Sequence, residues 1–199
     1  FRYIYILYFM LYQDFINNTL PYNYFDIIKT NSNGTCCYDS LLKLLKFYNQ
    51  VKPNLNTKVL QAQAIKWVNI NRNLYLPNFS LTLEDLVLYT HNFDDFDDYI
   101  DTYKIYSGKP TTNTPDRWGG VPEIIAISNL YNINVNVYSG ESYNKKLNKI
   151  IKGTIINNKP RKDFRFKLIM TTLREESNNT INILWTKTNK FSHFDALIN

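Results

Sequence analysis

Nucleophilic chemistry at sulfur is the chemistry this chain is best equipped to do. The sequence holds two cysteines, Cys36 and Cys37, and two histidines, His91 and His193. A thiol attacks well only as the thiolate, which takes a base within hydrogen-bond reach and a third group to orient that base. Cys36 follows the polar turn Asn33-Gly34-Thr35 and precedes Tyr38, Leu41, Leu42, Leu45 and Tyr48, which recur at helical spacing. It would therefore stand at a helix N-terminus, where the helix dipole favours an anion and lowers a thiol pKa. The backbone N–H groups of the same turn can converge on an oxyanion. Read alone, Cys36 is also open to the ordinary fate of a free cysteine, a small buried hydrophobe. Cys37, one step round the helix, is expected to point into the core as the structural cysteine.

A base for Cys36 has to be His91 or His193. His91 ends an expected helix and is followed by an acidic run, so a solvated or C-capping role is expected there. His193 has Asp195 two residues on, and in a strand both side chains project to one face. A carboxylate so placed can fix the imidazole tautomer. The same spacing also fits a satisfied structural histidine, so the pattern alone leaves both readings open.

The elements that must bring these groups together follow from periodicity. Asn23 to Lys29 reads as a short strand, Thr30 to Thr35 as a turn, and Cys36 to Asn49 as an amphipathic helix. Asn56 to Ile70 and Ser80 to His91 are helical, separated by a loop carrying Pro77. Phe93 to Tyr106 interleaves Asp94, Asp95, Asp97, Asp98 and Asp101 with aromatic and aliphatic residues, which gives a helix with an acidic outer face. That face is read as solvated, with a docking surface for a basic partner as the alternative. Ser107 to Arg117 reads as a loop. Pro122 and Glu123 suit the first turn of a helix carrying Ile124, Ile127, Leu130 and Tyr131. Alternation then marks strands from Ile133, from Phe164, from Ile181 and from His193 to Ile198. Helices early and strands late predict an α+β domain with a small mixed sheet.

Length and composition bound the rest. At 199 residues, 44% hydrophobic and 20% charged, the chain is sized and balanced for one globular domain over 1–199. Residues 1–22 form an N-terminal extension or helix in this reading, and the run Phe1 to Tyr12 is too short to cross a bilayer. Residues 23–199 form the core, with a helical arm at about 56–106. The net charge of +6 is spread along the chain, which argues against specific nucleic-acid binding. Adjacent Cα atoms lie about 3.8 Å apart, below the usual disulfide span of roughly 4.4–6.8 Å, so Cys36 and Cys37 make no ordinary bridge. Zinc-ligand spacings are missing, and no metal or cofactor is expected. The expected location is the cytoplasm, away from membranes. The chain is expected to be a monomer or a domain of a larger polypeptide, and its opening on Phe instead of Met reads as a piece cut from a longer chain.

Three blocks, in order, resemble the OTU (ovarian tumour) family of papain-like cysteine proteases. They are Asn33-Gly34-Thr35-Cys36-Cys37-Tyr38-Asp39-Ser40-Leu41, Trp118-Gly119-Gly120-Val121-Pro122-Glu123-Ile124, and His193-Phe194-Asp195-Ala196-Leu197. The resemblance spans about Tyr24 to Ile198. It implies a papain-like OTU fold and a thiol-dependent deubiquitinase acting on ubiquitin or a ubiquitin-like protein. Carried over, Cys36 is the nucleophile, His193 its base and Asp195 the orienting acid, with an oxyanion hole from Gly34, Thr35 and Cys36. Trp118, Gly119 and Gly120 would shape the channel for the ubiquitin tail, and the helical arm would meet the body of ubiquitin. Asn33 stands in the site where the family usually has an acid, and Cys37 replaces a more usual leucine or phenylalanine. The change at Asn33 motivates the alternative of a catalytically inactive ubiquitin-binding module.

Overall fold

The computed structural model describes residues 17–31, 34–105, 118–144, 149–152, 164–172, 177–187 and 192–199. Helix α1, Cys36–Phe47, forms where its apolar spacing predicts, and its inner face goes fully into the core through Tyr38, Leu41, Leu44 and Leu45. Each such burial is worth about 1.5–3 kcal/mol, so the element that presents Cys36 is firmly seated. The helix ends before Asn49, which takes the left-handed φ of 55°.

Helix α2, Thr57–Ile70, starts at Asn56, whose side chain accepts the Val59 N–H. Between it and α3, Leu83–His91, lies a small hairpin of β3, Tyr75–Leu76, and β4, Leu81–Thr82. The periodicity starts this helix at Ser80, but Ser80 has φ 56°, which no helix continues through. The helix is nucleated three residues later by Thr82 and Asp85, each capping the other's backbone N–H. Helix α4, Phe96–Ile105, buries Phe96, Tyr99 and Ile100 and leaves Asp94, Asp95, Asp97, Asp98 and Asp101 exposed, the expected acidic outer face. Helix α5, Val121–Tyr131, is apolar nearly all round and accordingly buried. The runs Phe1–Tyr12 and Ser107–Arg117 lie outside the described residues.

One sheet carries the order β1-β7-β5-β8-β9-β2, with β6 on β5. The strands are β1, Leu20–Pro21; β2, Asp26–Ile28; β5, Asn134–Asn144; β6, Lys149–Lys152; β7, Phe164–Thr171; β8, Thr180–Lys187; and β9, Ser192–Ile198. The β5 and β8 pair is parallel and the others are antiparallel, so the sheet is mixed and the fold α+β, as expected. Alternation divides its side chains between two cores. Val135, Val137, Ile183, Phe194 and Ala196 join the cluster that includes α1, while Tyr138, Leu184 and Leu197 join Phe25, Phe164 and Phe166. Strand β9 lies inside the sheet, next to its β2 edge. It is paired on one side with β8, where Thr186 faces His193 and Leu184 faces Asp195, and on the other with β2, where Ile28 faces Ala196.

Candidate active site

Cys36 is the first residue of α1, and Thr35 is its N-cap. Gly34 before it has φ 85°, the left-handed region that glycine enters without a Cβ penalty. The turn thus swings the chain directly into the helix, and the Cys36 N–H occupies a position where the helix itself provides no acceptor. Thr35 fastens the turn by donating from Oγ1 to Asp39 Oδ2 at 2.7 Å, and Thr57 of α2 donates to Asp39 Oδ1 at 2.6 Å. Cys36 is 6% exposed and Cys37 1%. Burial, with nearby negative groups, pushes the Cys37 thiol well up and keeps it protonated, in keeping with a structural cysteine.

His193 reaches this corner from the other end of the chain. Its Nε2 lies 3.1 Å from Asp195 Oδ1, and the ring stands near enough to Cys36 for that residue to help raise its pKa. With Nε2 given to Asp195, Nδ1 is the nitrogen left to exchange a proton with the sulfur. The hydrogen bond to Asp195 and the nearness of Cys36 outweigh burial and raise the imidazole to about 9, so at neutral pH it is charged beside the thiol. Burial alone would push the Asp195 carboxyl up. Hydrogen bonds from His193, Lys29 and the Thr30 N–H, and the Lys29 charge, overcome that and hold it below the ordinary carboxylate range. Sulfur, imidazole and carboxylate therefore form a chain able to move one proton.

Beside this set, Trp118, Gly119 and Gly120 line a cleft of about 880 Å³, with Phe79, Trp185 and Phe194 among its other walls. Cys36 and His193 do not line it; they adjoin it through Gly119 and Phe194. Gly119 closes against the first turn of α1. A Cβ on Gly119 would stand 2.9 Å from the Tyr38 ring and 3.0 Å from Cys37 Cβ, so any side chain there would press on α1 and the turn that presents Cys36. Asn33 lies outside the described residues.

His91 departs from the expectation. Its side chain is only 6% exposed, stacks on Tyr99 with centroids 5.4 Å apart, and places Nε2 3.1 Å from the Glu123 carboxylate. Glu123, fully buried, also accepts from Tyr99 Oη at 2.5 Å and from the Gly120 N–H at 2.6 Å. A helix-ending histidine before an acidic run looks solvated until α5 is packed across it, and that packing is non-local. A glutamate three residues into a helix, after a glycine, is the one available signal. Lys29 and Thr30 also escape a reading of the sequence, because they reach Asp195 only once β2 pairs with β9. Among the described residues no three metal-ligating side chains gather, and no helix is long and apolar enough to cross a membrane.

No protein-family model and no curated protein matches the sequence. Solved structures do. The Hazara virus OTU, solved bound to ubiquitin, superposes with a TM-score of 0.52 at 16% identity, covering 90% of this chain and 85% of that one. The viral OTU domain protease from Dera Ghazi Khan virus gives 0.51 at 14% identity, covering 90% and 84%. The chain has the OTU fold. In this fold the corner where α1 begins, near the start of β9, is where Cys36 and His193 come together.

Proposed function

We propose that this chain is a cysteine-type deubiquitinating peptidase, hydrolysing isopeptide or peptide bonds at the C-terminus of ubiquitin or a ubiquitin-like modifier. The observation that carries this reading is the nearness of Cys36 to a charged His193 held by Asp195. The OTU fold and the ubiquitin bound to one protein that shares it support the choice of substrate.

On this reading Cys36 attacks as the thiolate paired with the already protonated His193, its sulfur adding to the carbonyl carbon at the end of ubiquitin. Charge on the carbonyl oxygen is taken up by the N–H groups of Gly34, Thr35 and Cys36 at the positive end of α1. As the C–N bond breaks, His193 returns the proton to the leaving amine, and a thioester remains on sulfur. His193 then takes a proton from water, the resulting hydroxide cleaves the thioester, and the ubiquitin carboxylate leaves. The tail reaches sulfur along the cleft beside Trp118, Gly119 and Gly120, where glycines on the protein side suit a narrow glycine-ended peptide. The exposed aspartates of the arm face basic side chains of ubiquitin.

A ubiquitin substrate with a C-terminal fluorophore and a ubiquitin electrophile read by mass spectrometry test this directly. The expected result is turnover and a single adduct on Cys36, lost in Cys36→Ala and kept in Cys37→Ala. No turnover, with Cys36→Ala indistinguishable from the parent, would sink the reading. Ubiquitin binding without labelling would instead point to an inactive binding module.

A further inference from the structure

Asp195 is 1% exposed, and its two oxygens are held differently. Oδ1 is shared by the Thr30 N–H at 2.9 Å and His193 Nε2 at 3.1 Å, while Oδ2 takes the Lys29 ammonium at 2.8 Å. Lys29 follows β2 directly, at the start of the segment that leads to Cys36, and is itself tied down. Its carbonyl accepts Lys43 Nζ of α1 at 2.5 Å. Thr30 Oγ1, next in the chain, donates to the Phe194 carbonyl between His193 and Asp195. The stretch Lys29–Thr30 therefore bridges the strand that carries the base and the helix that carries the nucleophile.

Resting on the proposed thiol chemistry, we infer that Lys29 is a positioning residue: by engaging Oδ2 it fixes the Asp195 carboxylate in the rotation that presents Oδ1 to His193. Among the described residues, the charged and titratable groups around this carboxylate are few. Lys29 comes from the segment after β2, Lys43 from α1 reaches the Lys29 carbonyl, Cys36 of α1 lies near the ring, and His193 shares β9. The neighbouring strand β8 brings Leu184 and Thr186 opposite Asp195 and His193. Leu184 offers Oδ2 no donor. A buried carboxylate oxygen left without a donor is costly, and the carboxylate would turn to regain one, leaving the imidazole. A lysine serving only as a surface ion pair would be dispensable, since such pairs are worth little.

The test compares Lys29→Met and Lys29→Arg with the parent, reading kcat and KM on the ubiquitin substrate and the His193 titration by NMR. The chain has two histidines, so His91 serves as an internal reference. The expected result for Lys29→Met is a kcat loss on the order of tenfold to a hundredfold, the scale of a misplaced catalytic group, with KM unchanged. The His193 titration should fall from about 9 toward the ordinary histidine value, and Lys29→Arg should restore both. An unmoved or rising titration in Lys29→Met with kcat intact overturns the inference. Should the parent not cleave ubiquitin, the proposed function fails, yet the titration and the pH dependence of Cys36 alkylation still decide the role of Lys29.

Discussion

This molecule contains two histidine–carboxylate pairs with the same 3.1 Å contact from Nε2, set in different surroundings. His91 and Glu123 are held between α3, α4 and α5, with His91 also lining the cleft and with Tyr99 and the Gly120 N–H completing the carboxylate's partners. His193 and Asp195 stand at the end of a sheet, with a thiol against the ring and a lysine behind the acid. Both carboxyls are held below their usual range against burial that pushes the other way. A hydrogen-bonded histidine and acid is thus no sign of catalysis by itself. What separates the pairs is their surroundings: Cys36 beside the imidazole in one, the ring of Tyr99 stacked on it in the other.

Replacing each histidine should split the comparison most widely. His193→Ala is expected to cut kcat by about 10²–10⁴-fold, the usual worth of a general base, while leaving the melting temperature near the parent's. His91→Ala should do the reverse, keeping kcat within a few-fold and lowering the melting temperature. Activity assays paired with calorimetry check both, and a catalytic collapse in His91→Ala would mean that its pair also takes part in the chemistry.

Next in size is the buried acid. Glu123→Gln removes the charge facing His91 in a fully buried site, and breaking such a pair costs about 3–5 kcal/mol. For a chain of this length that is a fall in melting temperature on the order of 10 °C. A shift of a degree or two in thermal denaturation would contradict this account of the Trp118-Gly119-Gly120 turn.

The smallest expected effect is on pH dependence, and its sign differs between the pairs. His193 is raised from 6.5 to about 9. Its contribution to stability, kept small by solvent screening of a half-buried ring, is therefore fully present below pH 6.5 and lost as pH rises through 9. Glu123, lowered from 4.5, contributes above that value and loses its contribution as pH falls through its depressed folded pKa. Unfolding midpoints measured in denaturant across this range should show an alkaline decline that His193→Asn flattens and Glu123→Gln leaves in place.

Why one pair is legible in the sequence and the other is not comes down to distance along the chain. His193 and Asp195 are two apart on a strand, so a period of two is enough to aim them together. Cys36 is announced by a glycine turn and a helical stripe, again local signals. His91 and Glu123 meet across 32 residues, and Lys29 meets Asp195 across 166, through packing and strand register that no window of sequence contains. The same limit hides the two-residue strands β1, β3 and β4, whose pairing is decided by neighbours and not by their own pattern. Periodicity alone also starts helices too early where a left-handed Ser80 or the capping Asp95 intervenes.

Strand β9, sandwiched between β8 and β2, has one further consequence. To slip by a single residue it would have to unzip two ladders at once, and the slip would carry the imidazole to the opposite face of the sheet. The address of His193 is consequently digital: mutations in the surrounding core can weaken the sheet, but intermediate placements of the imidazole have no stable register to occupy.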